Sequence, residues 1–150
     1  MIYIVGRLNQ GIRREMRARL SEFNLSVTEY TTLSVLAGRP ELSNAQLARR
    51  ALVTPPSMLE IVAELERRGL VSRAVDPDNA RILRARLTRH GRDLLKAADP
   101  AIQTLHDEMF AGMTPRQQQA AMTAMRVAMT NLSRPDGSQR KPRAQLADAE

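Results

Sequence analysis

Residues 42–88 read LSNAQLARRALVTPPSMLEIVAELERRGLVSRAVDPDNARILRARLT, and this stretch decides the fold. Its first part predicts two short helices. Ser43 and Gln46 form a capping box, in which the serine oxygen caps the first amides of a helix and the glutamine reaches back to the serine amide. Thr54 is a second N-cap, and Pro55 follows at the first helical position, which needs no N–H. We therefore expect two helices joined by a turn at residues 51–53.

The second of these helices is amphipathic and ends at a glycine. Its apolar residues recur at the spacing i, i+3, i+4, i+7, which is typical of a helix with one buried face. They are Met58, Ile61, Val62 and Leu65. Gly69 can adopt the left-handed conformation that commonly closes a helix.

After Gly69 the period of the pattern changes from 3.6 to 2, which predicts a β-hairpin. Apolar and polar residues alternate at 71–75 and at 83–87, and the turn-forming residues 76–81 lie between the two runs. A half-buried ribbon puts alternate side chains on its open face. We expect the arginines of both strands to lie on that face.

A helix-turn-helix that runs into an arginine-bearing hairpin suits double-stranded DNA. The second helix fits the major groove, and the hairpin can reach an adjacent groove. The alternative interpretation is a small α/β packing unit with a solvated basic face.

These residues resemble the MarR family of winged-helix transcription regulators. Residues 54–57 and 65–73 are similar to the recognition helix of that family and its exit, and 76–81 and 87–92 to its wing and the helix that follows. The resemblance extends over roughly residues 1–132. It implies a homodimeric repressor that binds a near-palindromic operator and is released by a small ligand or a chemical signal.

Two positions depart from the family pattern. Asn79 stands where an acidic residue often orients the wing arginine, Arg81. Glu60 stands where a basic residue is frequent on the exposed face of the recognition helix. Glu60 can accept a hydrogen bond from a cytosine N4 amine. Alternatively, it only repels phosphates, or Arg67 or another nearby arginine holds it away from the DNA, and it simply lowers non-specific binding.

The remaining sequence predicts four more helices. The first spans about 1–22, and a capping box at Ser26 opens the second, which Gly38 ends. Another starts at Thr88, where we expect Pro100 to kink or interrupt it. The last follows a capping box at Thr114 and runs to about Leu132.

The fold class expected is mainly α with a small β-hairpin wing: a winged helix-turn-helix with a helical dimerisation layer. Residues 1–132 are expected to form a single unit, with a DNA-binding part at about 26–88 and dimerisation helices at about 1–22 and 88–132. A monomeric bundle is the alternative. The polar residues 133–150 are expected to be disordered. A ligand is expected where the first, second and fifth helices meet the DNA-binding part, and to alter the spacing of the two recognition helices.

Composition narrows the functional classes. The formal net charge is +7, and 21 of the 23 basic residues are arginine, which favours a phosphate-bearing partner. There are no cysteines, so disulfides, thiolate metal sites and thiol-based peroxide sensing are excluded. No apolar run approaches membrane-spanning length and no signal peptide is recognisable, which is compatible with a cytoplasmic protein.

The predicted DNA contacts fall into three groups. Arg81 at the hairpin tip is expected to enter a minor groove. The start of the recognition helix faces the major groove with Pro56, Ser57, Leu59 and Glu60. The expected phosphate contacts are Ser43, Asn44, Arg49, Arg73 and Arg84.

No pattern predicts an enzyme, a metal or a cofactor. His90 and the run His106-Asp107-Glu108 do not share a helix face, so solvated or interface histidines are favoured over ligands. No nucleophile elbow or phosphate loop is present. The rival function is a winged-helix protein-interaction module without specific DNA binding.

Overall fold

The computed structural model describes residues 1–132, and the predicted disorder of 133–150 lies outside the described residues. The mainly helical winged-helix fold is confirmed. The helices are α1 (Ile2–Leu20), α2 (Val27–Gly38), α3 (Asn44–Ala51), α4 (Pro55–Arg67), α5 (Arg89–Met109) and α6 (Pro115–Leu132). The strands are β1 (Leu42–Ser43), β2 (Val71–Val75) and β3 (Leu83–Leu87). A single 3₁₀ turn, Ser21–Phe23, follows α1.

Two compact units make up the chain. The first comprises residues 1–109 and contains α1 to α5 with the sheet, and the second begins at Phe110 and contains α6. Within 1–132, no helix is both long enough and apolar enough to cross a membrane.

The three predicted capping boxes are all formed. The side chains of Ser26 and Ser43 accept from the third helical amide, and Glu29 and Gln46 reach back to the cap amides. At Thr114, Gln117 accepts from the cap amide at 2.8 Å. Each box satisfies amides that the first turn of a helix leaves without a partner.

The recognition helix α4 packs against the core through a single apolar face. Met58, Val62 and Leu65 are buried, while Ile61 is half-buried. They pack with the buried leucines of the neighbouring helices, which are Leu20, Leu33, Leu36 and Leu47. Gly69 closes the end of the helix with φ +68°, as its position predicts.

The sheet contains a strand that the sequence did not predict. Its order is β1-β3-β2, all antiparallel, with Leu42 opposite Ala85 and Val71 opposite Leu87. The strand β1 is two residues long, and one of them, Ser43, is also the N-cap of α3. A strand this short has no alternation to detect.

The prediction that the strand arginines share the open face is wrong for Arg73. Directly opposed residues of an antiparallel pair lie on one face, and Arg73 is opposite the buried Ala85. Arg84 and Arg86 lie on the other face. The reason is parity, since residues 71, 73 and 75 point the same way along a strand.

The predicted interruption at Pro100 is also wrong. Helix α5 runs unbroken from Arg89 to Met109 with Pro100 inside it. The proline is exposed, so the carbonyl that it leaves without a helical donor, that of Lys96, can be hydrated.

Candidate nucleic-acid interface

The turn between α3 and α4 is formed by a leucine in the left-handed conformation and is stabilised by a side-chain hydrogen bond between the two helices. Leu52 follows α3 with φ 56° and ψ 43°, and this conformation turns the chain toward α4. Thr54 then caps α4 by accepting from the Ser57 amide at 3.3 Å. Asn44 donates from Nδ2 to the carbonyl of Pro55 at 2.9 Å, which links the starts of the two helices. Asn44 therefore holds the motif together, a role that the sequence did not predict.

The exposed face of α4 carries the residues predicted to enter the major groove. Pro56, Ser57, Leu59 and Glu60 are all exposed, and Leu59 exposes 52% of its surface. The hydroxyls of Thr54 and Ser57 lie 2.9 Å apart. A helix start that shows short polar and apolar side chains together is suited to base edges and thymine methyl groups.

Three glutamates lie on α4, and their partners differ. Glu64 accepts from Arg67 at 2.8 and 2.6 Å. Glu66 is bound by Arg73, whose Nε lies 2.8 Å away. These guanidinium hydrogen bonds hold the pKa of both carboxyls below its usual value. Within residues 1–132, Glu60 has no hydrogen-bond or ion-pair partner. Arg67 is thus occupied by Glu64, which excludes Arg67 from the alternative in which an arginine engages Glu60.

The tip of the wing, residues 76–81 between β2 and β3, is organised by Asp76. Its carboxylate is buried and accepts from the amides of Asp78 at 2.8 Å and Asn79 at 3.1 Å, and it also binds Arg84. The Asp78 amide and the Arg84 guanidinium hold the pKa of Asp76 below its usual value. An aspartate followed by Pro-x-Asn is a common start for such a turn, so this signal was available in the sequence.

Asn79 fixes the backbone of the wing arginine. Its side-chain oxygen accepts from the Arg81 amide at 3.0 Å. The guanidinium of Arg81 is exposed and, within residues 1–132, unpaired. The tip of the wing therefore carries an exposed guanidinium, that of Arg81, on a backbone that is held in place by Asn79.

The predicted phosphate contacts divide into free and engaged arginines. Arg49 is exposed and, in the described part of the chain, has no partner. Arg84 binds Asp76 and also donates from Nη1 to the carbonyl of Glu41 at 2.9 Å. Arg73 is bound to Glu66. These two arginines therefore attach the wing to its neighbours: Arg73 to α4 through Glu66, and Arg84 to the backbone at Glu41.

Half of the predicted contacts line one cleft between the helix-turn-helix and the wing. It has a volume of about 360 Å³. The predicted residues in it are Ser43, Asn44, Leu59, Arg73 and Arg81. The side-chain oxygen of Asn44 is buried and, among residues 1–132, has no hydrogen-bond partner.

A second cavity is lined by residues of α2 and α5 but by none of α1, so it coincides only in part with the predicted ligand site. We call it the Tyr30 cavity; it has a volume of about 790 Å³ and lies between α2 and α5. Its lining consists of Tyr30, Lys96, Asp99, Pro100, Ile102, Gln103 and His106. The Tyr30 hydroxyl donates to Asp99 at 2.8 Å, and burial together with this carboxylate raises the pKa of Tyr30 to about 12.

Histidines form no metal centre in the described residues. No group of three or more potential ligands is close enough together in residues 1–132. His106 instead lies 3.3 Å from the adjacent Asp107.

A helix-turn-helix followed by a small sheet with a projecting hairpin defines a winged-helix protein. The model of the MarR family matches residues 23–82. An HTH-type transcriptional repressor of Mycobacterium tuberculosis is 36% identical over 116 residues, which cover 77% of this chain and 84% of that protein. The chain belongs to the MarR family of transcriptional regulators, and the resemblance found in the sequence is confirmed.

Solved structures agree with this assignment. A MarR family regulator from Silicibacter pomeroyi has a TM-score of 0.80 and 26% identity, covering 89% of this chain and 90% of that one. A MarR family protein of Mycobacterium tuberculosis in complex with salicylic acid has a TM-score of 0.69 and 33% identity, covering 85% of this chain and 95% of that one.

Proposed function

We propose that the chain is a transcriptional repressor that binds a pseudo-palindromic operator as a homodimer and leaves it when a small aromatic acid binds. The observation that carries the proposal is the pairing of the exposed α4 face with the free wing-tip arginine. Of the arginines predicted to contact DNA, Arg81 and Arg49 remain free in the described residues, while the others fix the wing.

An exposed apolar end of α1 supports the homodimer. Ile2, Tyr3 and Ile4 expose 87%, 73% and 68% of their surface. Such a patch on a charged chain marks an interaction surface. A second copy is the partner that also supplies the second recognition helix that a palindrome requires.

The Tyr30 cavity supports the choice of ligand. Lys96 offers an ammonium group to a carboxylate, and Ile102 and Pro100 offer apolar contact to a ring. One relative, the MarR family protein of Mycobacterium tuberculosis, has been solved both with salicylic acid and with p-aminosalicylic acid, at 33% and 32% identity to this chain. We expect the protein to act in the cytoplasm, without enzyme activity of its own.

Selection from random duplex DNA, followed by footprinting, tests the operator. The expected result is two half-sites about one helical turn, roughly 34 Å, apart, bound by a dimer in sedimentation. A single unsymmetrical half-site bound by a monomer would contradict the proposal.

Salicylate is the probe for the ligand. We expect millimolar salicylate to weaken operator binding and the Lys96→Met variant to lose this response while it binds DNA normally.

Absence of any salt-dependent mobility shift with duplex DNA would instead favour the rival function, a winged-helix protein-interaction module.

A further inference from the structure

The end of the recognition helix is held by an arginine that reaches out of it. Arg68, directly after α4, donates from Nη1 to Glu29 Oε1 at 2.9 Å and from Nη2 to the carbonyl oxygen of Asn24 at 2.8 Å. The two charged side chains are only 19% and 14% exposed. A planar guanidinium makes both bonds at once, which a lysine ammonium on a flexible stem does not reproduce.

The neighbouring arginine makes no such tie. Arg67 is 73% exposed and binds Glu64 within α4 itself. Both arginines put the same charge at the same helix end. Arg68 differs in that it joins α4 both to the first turn of α2, through Glu29, and to the segment before α2, through Asn24.

Glu29 belongs to a helical turn that is held in several ways. Its Oε2 accepts from the Ser26 amide at 2.7 Å, and its own amide donates to Ser26 Oγ at 3.2 Å. The next residue, Tyr30, donates to Asp99 in the Tyr30 cavity. The first turn of α2 thus contacts the recognition helix through Glu29 and Arg68, and it contributes Tyr30 to the lining of the Tyr30 cavity.

We propose that Arg68 is a positioning residue, which sets the orientation of α4 through Glu29 and so couples operator binding to the Tyr30–Asp99 contact. The inference rests on the proposed function. Its physical basis is that a change in either contact must move the same turn of α2, because Glu29 and Tyr30 are consecutive residues whose amides both bond to Ser26.

The first test compares three variants at one protein concentration and several salt concentrations. Arg68→Met removes the tie. Glu29→Gln also removes the ion pair but keeps the cap, since Gln46 and Gln117 fill that role in their own boxes. We expect both to weaken operator binding about tenfold, the usual size of a coupling between sites. The double variant should be no weaker than either single one.

Arg67→Met is the matched control, and we expect it to change operator affinity less than about twofold, as for an exposed surface pair. The salt dependence distinguishes positioning from contact. A lost phosphate contact lowers the slope of log K against log salt by about 1, whereas a positioning residue leaves the slope unchanged. A lower slope in Arg68→Met, or equal losses in Arg67→Met and Arg68→Met, would overturn the proposal.

Arg68→Lys serves if Arg68→Met does not fold. It keeps the charge but cannot bind Glu29 and Asn24 together, so the same tenfold weakening is expected. Wild-type affinity in Arg68→Lys, together with wild-type affinity in Glu29→Gln, would mean that the tie has no positioning role.

The second test uses the fact that the chain has two tyrosines. Labelling with 3-fluorotyrosine gives two ¹⁹F signals, which Tyr3→Phe assigns. Because coupling is reciprocal, operator binding should shift the Tyr30 signal, and Glu29→Gln should abolish that shift at saturating DNA. An unshifted Tyr30 signal in the bound wild-type protein would refute the coupling.

The two proposals fail in different ways. If no duplex DNA binds, the proposed function fails and the coupling fails with it. If the operator binds normally but the variants and the Tyr30 signal do not respond, only the coupling fails.

Discussion

Two arginines of the wing, Arg84 and Arg81, have different roles: the first stabilises the wing and the second is exposed to a partner. Arg84 is bound to the buried Asp76 and to a backbone carbonyl, so its charge is used inside the protein. Arg81, three residues earlier, is exposed on a backbone that Asn79 fixes. The difference arises from the neighbours that each side chain meets and not from the residue type.

Arg81→Ala should therefore weaken operator binding by about 1–3 kcal/mol, the range for a good groove contact. Melting temperature should hardly change, because substitutions at exposed positions usually stay within about 0.5 kcal/mol. Fluorescence anisotropy with labelled operator and a thermal melt measure the two effects. Arg14→Ala, on the exposed side of α1, is the control; a lower melting temperature with unchanged affinity would mean that Arg81 is structural.

Glu60→Ala distinguishes the two remaining accounts of this residue. If the free carboxylate accepts from a cytosine amine, the variant binds its operator about 1–3 kcal/mol more weakly and loses preference at one base pair per half-site. If the carboxylate only repels phosphates, affinity rises for all sequences. Binding selections on both proteins at one salt concentration decide between the accounts.

Glu64→Ala is the matched control for that experiment. It removes the same charge from the same helix, but this charge is already neutralised by Arg67. A selection profile that changes equally in both variants would argue against base readout by Glu60.

At the scale of the element, sequence patterns predicted most of the fold. Capping boxes, the α4 stripe and Gly69 depend on residues within one turn of each other, so local chemistry is enough to find them. The ties that hold the interface join distant residues, such as Arg68 to Glu29 and Arg84 to Glu41. Nothing in the local pattern of either partner indicates such a pair, since it exists only once the chain has folded.

The wing should lose stability in acid through Asp76. Its pKa in the folded protein is lowered below its ordinary value of 3.8, so the contribution is present above that value and is lost as pH falls through the folded pKa. The urea midpoint of Asp76→Ala should lie below that of the wild type at pH 6, and the two should converge as the pH falls below the lowered pKa of Asp76. Asp78→Ala, with its exposed side chain, is the control and should show no such convergence.

Gly91 packs against the exit of the recognition helix without room for a side chain. A Cβ there would lie 2.0 Å from the carbonyl oxygen of Leu70, a backbone atom. Thr88 binds the same oxygen through its amide at 3.1 Å. The backbone at the start of α5 is therefore in close contact with the backbone of Leu70, just after α4.

Gly91→Ala should accordingly destabilise the protein by about 1–3 kcal/mol, as for other overpacked sites. Gly38→Ala is the control, because a Cβ there meets nothing within 4 Å. It should be neutral or stabilise slightly through the unfolded chain. Chemical denaturation measures both; equal midpoints for the two variants would mean that α5 can shift away from Leu70.

For the molecule as a whole, the apolar groove on α1, which Arg14 does not line, should control assembly. Leu8 is 42% exposed and lines an apolar groove with Ile4 and Ile12. Leu8→Glu would place a charge in the proposed interface and should raise the dimer dissociation constant at least about thirtyfold, as at a binding hot spot. Sedimentation velocity over a concentration series tests this, with Arg14→Ala as the control; an unchanged dimer would locate the interface elsewhere.

The two-residue strand β1 also has a consequence for the order of folding. Its partner residues, Leu42 and Ala85, are far apart in the chain, whereas β2 and β3 are joined by the short loop 76–82. The hairpin can form early and locally, but the sheet is complete only after the intervening helices have closed the loop, and closing a long loop costs entropy first. Mutations in β1 should therefore speed unfolding and leave the refolding rate almost unchanged.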